Sequence, residues 1–437
     1  MKDIFVLGLD PFHQAMLEAA PSAEGVALHP LLTLDEIRTG DAIHVREPLE
    51  RAAREIEAFE GSVDGIIGYW DFPVNVMSSM LCERFGLPTA SFDKVMRCEH
   101  KAWSRMIQQE AAPEAVPPFE VVDPFGADPV GGLRLALPCW IKPVIGYQSA
   151  LGFLVRTPGE LERALSEIRA GIGRIAEPLN WLLERCDCPE EAGGRNGAAC
   201  IAEGLIRGRQ CTVEGYVHEG EVTVYGVVDS IRYPGVSSFQ SYRYPPLLPE
   251  RIRDRVTETT ARVMEKTGLL ERGFNVEYFW DETDDRIWLL EINTRPSQSH
   301  ADLFDKVDGC TNESILIDLA LGRAPRLPHR EGAYGAAGKF FVRRFEDATV
   351  TAAPTPEEIE SIQRDHPGTR IEVKVAPGQR LSETPDRDSY SYELAWIHAG
   401  AEDHAALDRI FEDCAGRLRF GFEQAEDGSP RGGVVAP

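Results

Sequence analysis

The stretch G-F-N-V-E-Y-F-W-D-E-T-D-D-R-I-W-L-L-E-I-N-T-R-P, residues 273–296, concentrates residue types that could hold a metal and a phosphate. Side chains at i, i+2 and i+4 of a β-strand share one face. Glu291, Asn293 and Arg295 therefore point one way, as do Asn275 and Glu277 on the preceding strand. A hairpin register with Trp280 opposite Trp288 sets Glu277 opposite Glu291. Like charges facing each other across a ladder destabilise it. Neighbouring carboxylates in a pocket do not easily both stay ionised without a cation. A hard divalent cation with oxygen ligands meets that need, and Mg²⁺ with nucleotide phosphates fits best. Salt bridges to Arg295 or Lys142 are the alternative.

Anion-holding groups lie upstream. Lys142 ends the apolar strand C-W-I-K-P, where a lysine is more often paired or functional than solvated. Gly146, Ser149 and Gly152 then allow backbone N–H groups to approach an anion, although a Gly/Ser turn is commonly just a turn. Lys101 follows His100 on a helix and reads equally as a surface lysine. In A-E-G-L-I-R-G-R-Q-C-T-V-E-G, backbone groups of Glu203 and Leu205 at a strand end could read an adenine edge, with Glu214 facing a ribose. The segment 229–245 holds Arg232 and Arg243, suited to a carboxylate, among Tyr233, Phe239, Tyr242 and Tyr244. It reads as the acceptor side of a site or as an ordered surface loop. Ser297 and His300 follow Arg295 and could touch a substrate; a hydrogen-bonded structural role suits His300 better than that of a general base.

The elements that must position these groups are legible from patterning. Residues 1–95 alternate short apolar runs (Ile4–Leu9, Val63–Tyr69) with a helical stretch, Asn75–Phe85, closed by Gly86-Leu87-Pro88, the rhythm of an open α/β layer. A helix is expected over Glu99–Gln109. Strands are expected at Leu137–Pro143, Phe153–Arg156 and Ala199–Ile206, with a helix starting after Thr157-Pro158. A hairpin turns at Glu219-Gly220, residues 249–268 are helical, and an acidic turn joins strands 273–280 and 286–293. Residues 96–206, 207–330 and 331–423 read as three further regions, with a flexible tail over 424–437. No dinucleotide-binding glycine motif or P-loop occurs.

The chain of 437 residues carries a net charge of −25, which disfavours nucleic acid and anionic membranes as partners and obliges any anionic ligand to find local cations. Its nine cysteines lack metal-ligand spacing and suit a reducing cytoplasm. No apolar run is long enough for a transmembrane helix, and the first strand-like run, broken by Asp10, is no signal peptide.

The order Lys101, I-K-P with its Gly/Ser loop, A-E-G-L-I-x-G, N-x-E and E-I-N-T-R resembles the ATP-grasp superfamily, in particular its carboxylate–amine ligases of the L-amino-acid-ligase and biotin-carboxylase kinds. The resemblance covers residues 1 to about 420. It implies an α/β (α+β) ATP-grasp fold: a pre-ATP-grasp α/β domain over 1–95, a small or lid part with the phosphate loop over 96–206, a large part with the Mg-ATP and substrate site over 207–330, and a C-terminal α/β unit. ATP would lie between two antiparallel sheets. Lys101, Lys142 and Ser149 would hold phosphates, Glu203 and Leu205 adenine, and Glu214 the ribose side. Glu277, Glu291 and Asn293 would ligate one or two Mg²⁺, with Mn²⁺ a substitute. Arg295 would stabilise the transferring phosphoryl group, and the loop 144–152 would close over the nucleotide. Glu203-Gly204 departs from the two acids frequent in the family, and Tyr147 and Gln148 depart from its small residues.

The implied activity is ATP-dependent amide formation between a small carboxylic or amino acid and an amine through an acyl phosphate, releasing ADP and phosphate, with a homodimer as the assembly by analogy. A biotin-carboxylase-like enzyme is disfavoured by the lack of an M-K-M motif. A nucleotide-binding relative without turnover would not need the full phosphoryl-transfer set.

Overall fold

The computed structural model describes residues 1–39, 42–146, 151–384 and 391–424. Ser149, Tyr147 and Gln148, with the centre of the expected nucleotide loop, lie outside the described residues, as does the tail beyond residue 424. The chain divides into two compact units, each assembled from separate segments. One comprises Met1–Gly226, Leu248–Gln298 and Glu313–Leu327, the other Val227–Leu247, Ser299–Asn312 and Pro328–Pro437. Among the described residues no helix is long and apolar enough to cross a membrane.

The first unit opens with a parallel three-stranded sheet in the order Val26–Leu31, Lys2–Leu7, Gly65–Ile67. The run Ile4–Leu7 is buried throughout, as expected for a parallel strand covered on both faces. Helix Val74–Phe85 stops at Gly86, which takes the left-handed conformation with φ 66°; a side chain at that φ would meet its own backbone.

The helix expected over Glu99–Gln109 is present as Lys101–Ala111, and a separate helix, Phe92–Glu99, precedes it. His100 breaks them with ψ 103°, and its ring accepts the Trp103 N–H. The break is consequential because Lys101 binds Glu291 near the end of a later strand while Glu99 binds Thr294 just past that end.

Next comes an antiparallel sheet ordered Phe119–Val122, Cys200–Gly204, Cys139–Pro143, Phe153–Val155. Cys139, Ile141, Cys200 and Ala202 face a core formed with Leu161, Leu165 and Ile168 of helix Pro158–Gly171. Strand alternation then sends Trp140, Lys142 and Glu203 to the opposite face. A second antiparallel group in this unit is ordered Arg286–Asn293, Arg272–Asp281, Arg209–His218, followed by the strand Glu221–Arg232, which passes into the second unit.

In the second unit the strand order is Phe239–Tyr244, Ala336–Arg344, Tyr392–Ala401, Arg370–Val373. Phe340, Ile397 and Ile371 face the apolar residues of helices Pro356–Asp365 and His404–Arg417. Tyr242, Lys339, His398 and Arg370 form one cross-strand row on the other face.

Candidate active site

Asn275 pairs with Asn293 and Glu277 with Glu291 across the hairpin. The two tryptophans do not face each other: Trp280 pairs with Ile287 and Phe279 with Trp288. A bulge causes the difference. The register shifts by one between Glu277 and Tyr278, leaving Leu290 as the extra residue. The acids meet because they lie on one side of the bulge; the tryptophan pairing would need an unbroken ladder.

Each acid has a polar partner. Lys101 Nζ lies 3.2 Å from Glu291 Oε2, and Gln210 Nε2 donates to Glu277 Oε2 at 2.7 Å. Burial raises the cost of charge on Glu291, but Lys101, Lys142 and Arg295 outweigh it and hold the carboxyl below its usual range. Asn293 is oriented by a chain of amides. Asn275 Nδ2 donates to Arg295 O at 3.0 Å, and Asn293 Nδ2 donates to Asn275 Oδ1 at 2.9 Å. With its nitrogen committed, Asn293 has its amide oxygen as the atom available to a cation.

Arg295 is buried, and its Nε donates to Asp71 Oδ1 at 2.7 Å. Asp71 precedes Arg295 by 224 positions, and no local pattern in the sequence marks it. Glu99 accepts from Thr294 N at 3.0 Å and Thr294 Oγ1 at 2.8 Å, bracing the end of the same strand.

Lys142 and Glu203 form one pair, Nζ to Oε2 at 2.6 Å. Glu203 is thus neither a solvated edge residue nor turned outward: it is buried, and Arg105 Nε holds its other oxygen at 2.6 Å. Burial opposes the Glu203 charge, while Arg105 and Lys142 bring the carboxyl down to about 2. Arg105 also donates to Leu289 O at 2.9 Å and Leu290 O at 2.6 Å, the carbonyls at the hairpin bulge. The sequence offered a signal for Arg105 that went unused, since it stands four positions after Lys101 and so shares its helical face. Leu205 lies just past the end of strand Cys200–Gly204.

Glu214 is fully buried and accepts from Ser297 N at 3.2 Å and Tyr225 OH at 3.2 Å. Its carboxylate therefore holds the segment after Arg295. Ser297 takes part through its backbone N–H.

The expected acceptor segment is corrected in the second unit. Its residues are mostly strand, and Tyr242 and Arg243, as neighbours, point to opposite faces. Arg243 Nη1 lies 2.7 Å from Asp408 Oδ1, and its guanidinium sits over Phe340, on the helix-covered face. Arg232 stacks over Phe239 at 5.5 Å. The buried His300 packs edge-on against Tyr242, centroids 4.9 Å apart. The two arginines and the tyrosine thus do not form one carboxylate pocket.

Among the described residues no group of three or more His, Cys, Asp and Glu is placed to hold a metal ion. Two carboxylates facing each other, with an amide oxygen two residues along the strand, still make an all-oxygen set that suits a hard cation completed by other oxygens.

Residues 135–301 match the family model described as ATP-grasp domain. Over these residues the chain is similar to the ATP-grasp family. The match begins just before the Lys142 strand and ends just after His300, so it spans both the Lys142–Glu203 pair and the carboxylate hairpin. Outside this domain the fold continues to agree with solved structures. The L-amino acid ligase from Bacillus licheniformis superposes with a TM-score of 0.74 at 17% identity, covering 97% of this chain and 99% of that one. A biotin carboxylase from Campylobacter jejuni gives 0.64 at 16% identity over 96% and 92% of the two chains. The D-alanine–D-alanine ligase of Synechococcus sp. (strain CC9605) is 33% identical over 79 residues, which are 17% of this chain and only 22% of that protein. The ATP-grasp fold expected from the sequence is therefore present.

Proposed function

We propose that this protein is an ADP-forming ATP-grasp ligase that joins a small carboxylic or amino acid to an amine through an acyl phosphate. The observation that carries the reading is the meeting of Glu277 and Glu291 across one ladder, with the Lys101 ammonium on Glu291 and with Lys142 and Arg295 close enough to act on its charge. In a chain of net charge −25 this is the local cationic cluster that opposing a carboxylate to a triphosphate demands. The names of similar proteins, L-amino acid ligase and D-alanine–D-alanine ligase, point to the same chemistry.

A carboxylate is a poor acyl donor because its leaving group would be oxide. Its oxygen attacks the γ-phosphorus of ATP, the bond to the bridging oxygen breaks, and ADP leaves. The amine nitrogen then attacks the acyl carbon of the resulting acyl phosphate, the carbon–oxygen bond breaks, inorganic phosphate leaves, and the amine loses a proton. Lys101 and Lys142 would hold phosphate oxygens. Lys142 keeps its place because Glu203 is anchored from behind by Arg105. Glu277, Glu291 and Asn293 would hold one or two Mg²⁺, or Mn²⁺ in its stead, whose charge neutralises the phosphate oxygens. Arg295, fixed by Asp71, would bind the transferring phosphoryl group and then the tetrahedral oxyanion. Glu203 and Leu205 would border the adenine end and Glu214 the ribose side, and Ser149 would hold a phosphate oxygen. The partners are small molecules; the acidic surface argues against nucleic acid, and a cytoplasmic homodimer is the setting in keeping with such an enzyme.

The test is incubation with ATP, Mg²⁺ and a panel of acids and amines. ADP and phosphate should appear in an amine-dependent way; AMP release would sink the acyl-phosphate route.

A further inference from the structure

The three parallel strands of the first unit run in the order Val26–Leu31, Lys2–Leu7, Gly65–Ile67, with the first strand of the chain in the middle. The chain leaves the central strand toward one side and comes back on the other. In open α/β sheets a crevice opens beyond the carboxyl ends of the strands at such a switch, and ligands bind there. Residues 8–10 and 68–71 follow the two strands that border it. Their loops are fastened to each other: Trp70 Nε1 donates to Gly8 O at 2.8 Å, and Asp10 N donates to Tyr69 OH at 3.2 Å. A side chain at Gly8 would come within 2.8 Å of the Trp70 ring.

Asp71, at the end of the second loop, is only half used by Arg295. Both guanidinium contacts fall on its Oδ1. A carboxylate offers about four acceptor positions, and among the described residues no donor meets Oδ2. The Asp71 side chain is 33% exposed against 9% for Arg295, so the second oxygen is open to a small molecule while the first is locked. Local charge favours a cation there. Glu214 and Glu99 act on Arg295 alongside Asp71, so three carboxyl groups face one guanidinium. On the neighbouring loop Asp10 adds a fourth, partly exposed and paired with the His13 ring. All of these residues belong to the first unit.

We propose that Asp71 Oδ2 binds the acceptor amine as its ammonium and turns it toward the acyl carbon, with the half-buried Trp70 beside it as an apolar wall. This role rests on the ligase reading and commits the acceptor to a nitrogen that is protonated in solution. Oδ1 and Oδ2 share one carbon, so a nitrogen on Oδ2 stands beside the guanidinium that would hold the oxyanion. An ammonium has no lone pair. It sheds one proton to water at this half-exposed position, and an N–H of the resulting amine stays on Oδ2. The lone pair then forms the carbon–nitrogen bond, the carbon–oxygen bond to phosphate breaks, and the surplus proton on nitrogen passes to Oδ2.

The experiment uses the full chain with the acid that releases most ADP. It compares L-alanine, 2-phenylethylamine and butylamine as acceptors with hydroxylamine, which is uncharged at neutral pH and traps an acyl phosphate as a hydroxamate. Asp71→Asn keeps an oxygen for Arg295 and removes the charge. It should lower kcat/KM for the amines, relative to that for hydroxylamine, roughly tenfold or more. An equal fall for amines and hydroxylamine would mean that Asp71 only holds Arg295; that result, or an unchanged ratio, overturns the site. Calorimetric titration with Mg²⁺ and a non-hydrolysable ATP analogue tests binding without turnover and needs no variant. Wild type should bind 2-phenylethylamine about tenfold or more tightly than its uncharged isostere 2-phenylethanol. Equal affinities, or no binding of any of these amines, overturns the site. Amine binding that weakens about tenfold in Asp71→Asn, with no ADP release for any acid, would remove the ligase reading and keep the site. Amine-dependent ADP release with an unchanged amine-to-hydroxylamine ratio would do the reverse.

Discussion

Arg105 Nε donates to Glu203 Oε1 at 2.6 Å, while the same guanidinium holds the carbonyls of Leu289 and Leu290. One buried side chain thereby ties the Lys142–Glu203 pair of one sheet to the bulge of the carboxylate hairpin in another. Replacing Arg105 with Ala leaves a buried carboxylate half-paired and two carbonyls without their donor. Loss of one partner of a buried pair costs about 3–5 kcal/mol. Urea unfolding should show that drop in stability; a loss under 1 kcal/mol would contradict the bracing role.

Glu203 should make stability pH-dependent. Its carboxyl is lowered from 4.5 in the unfolded chain to about 2 in the folded one. The folded state then favours the ionised form, so the contribution is fully present above pH 4.5 and is lost as pH falls from there toward 2. Glu203→Gln should flatten the acid limb of a thermal-melt profile over that window. An unchanged limb would mean other carboxylates govern acid unfolding.

Glu291→Gln should abolish turnover, by at least a hundredfold in kcat, while leaving the far-ultraviolet circular dichroism spectrum unchanged. The amide keeps the shape of the side chain but removes the charge that Lys101 and a divalent cation would share. Full activity in the variant would remove the metal assignment.

Asn275 acts through Asn293 and is the residue to separate orientation from ligation. Asn275→Ala frees the Asn293 amide to rotate, and loss of such an orienting contact typically costs about 10–100-fold in metal affinity. The Mg²⁺ concentration giving half-maximal nucleotide binding, followed by equilibrium dialysis, should rise by that order. No change would mean the amide chain is only structural.

Arg243→Ala should leave the KM for the acid substrate within about twofold. Its guanidinium is held by Asp408 and Ser241 on the helix-covered face of its sheet. A tenfold rise in KM would return Arg243 to the substrate pocket.

The sequence by itself determined that Glu291 and Asn293 share a face, because strand alternation is a local rule; the expected meeting of Glu277 with Glu291 holds on one side of the bulge, although the Trp280–Trp288 pairing used to set the register does not form. It also determined the helix stop at Gly86 and the Thr157 cap, which accepts from Glu160 N, since caps are decided by a few adjacent residues. The bulge at Leu290, the break at His100 and the opposite facing of Tyr242 and Arg243 were decided at the next level, by how segments pair. The partners of the charged groups were decided only by tertiary structure. Asp71 meets Arg295 across 224 positions, Glu99 meets Thr294 across 195, and Arg105 reaches Leu290 across 185. Periodicity fixes which way a side chain points on its own element. A buried charge also needs a counter-charge, and where along the chain that comes from depends on which elements the fold packs together.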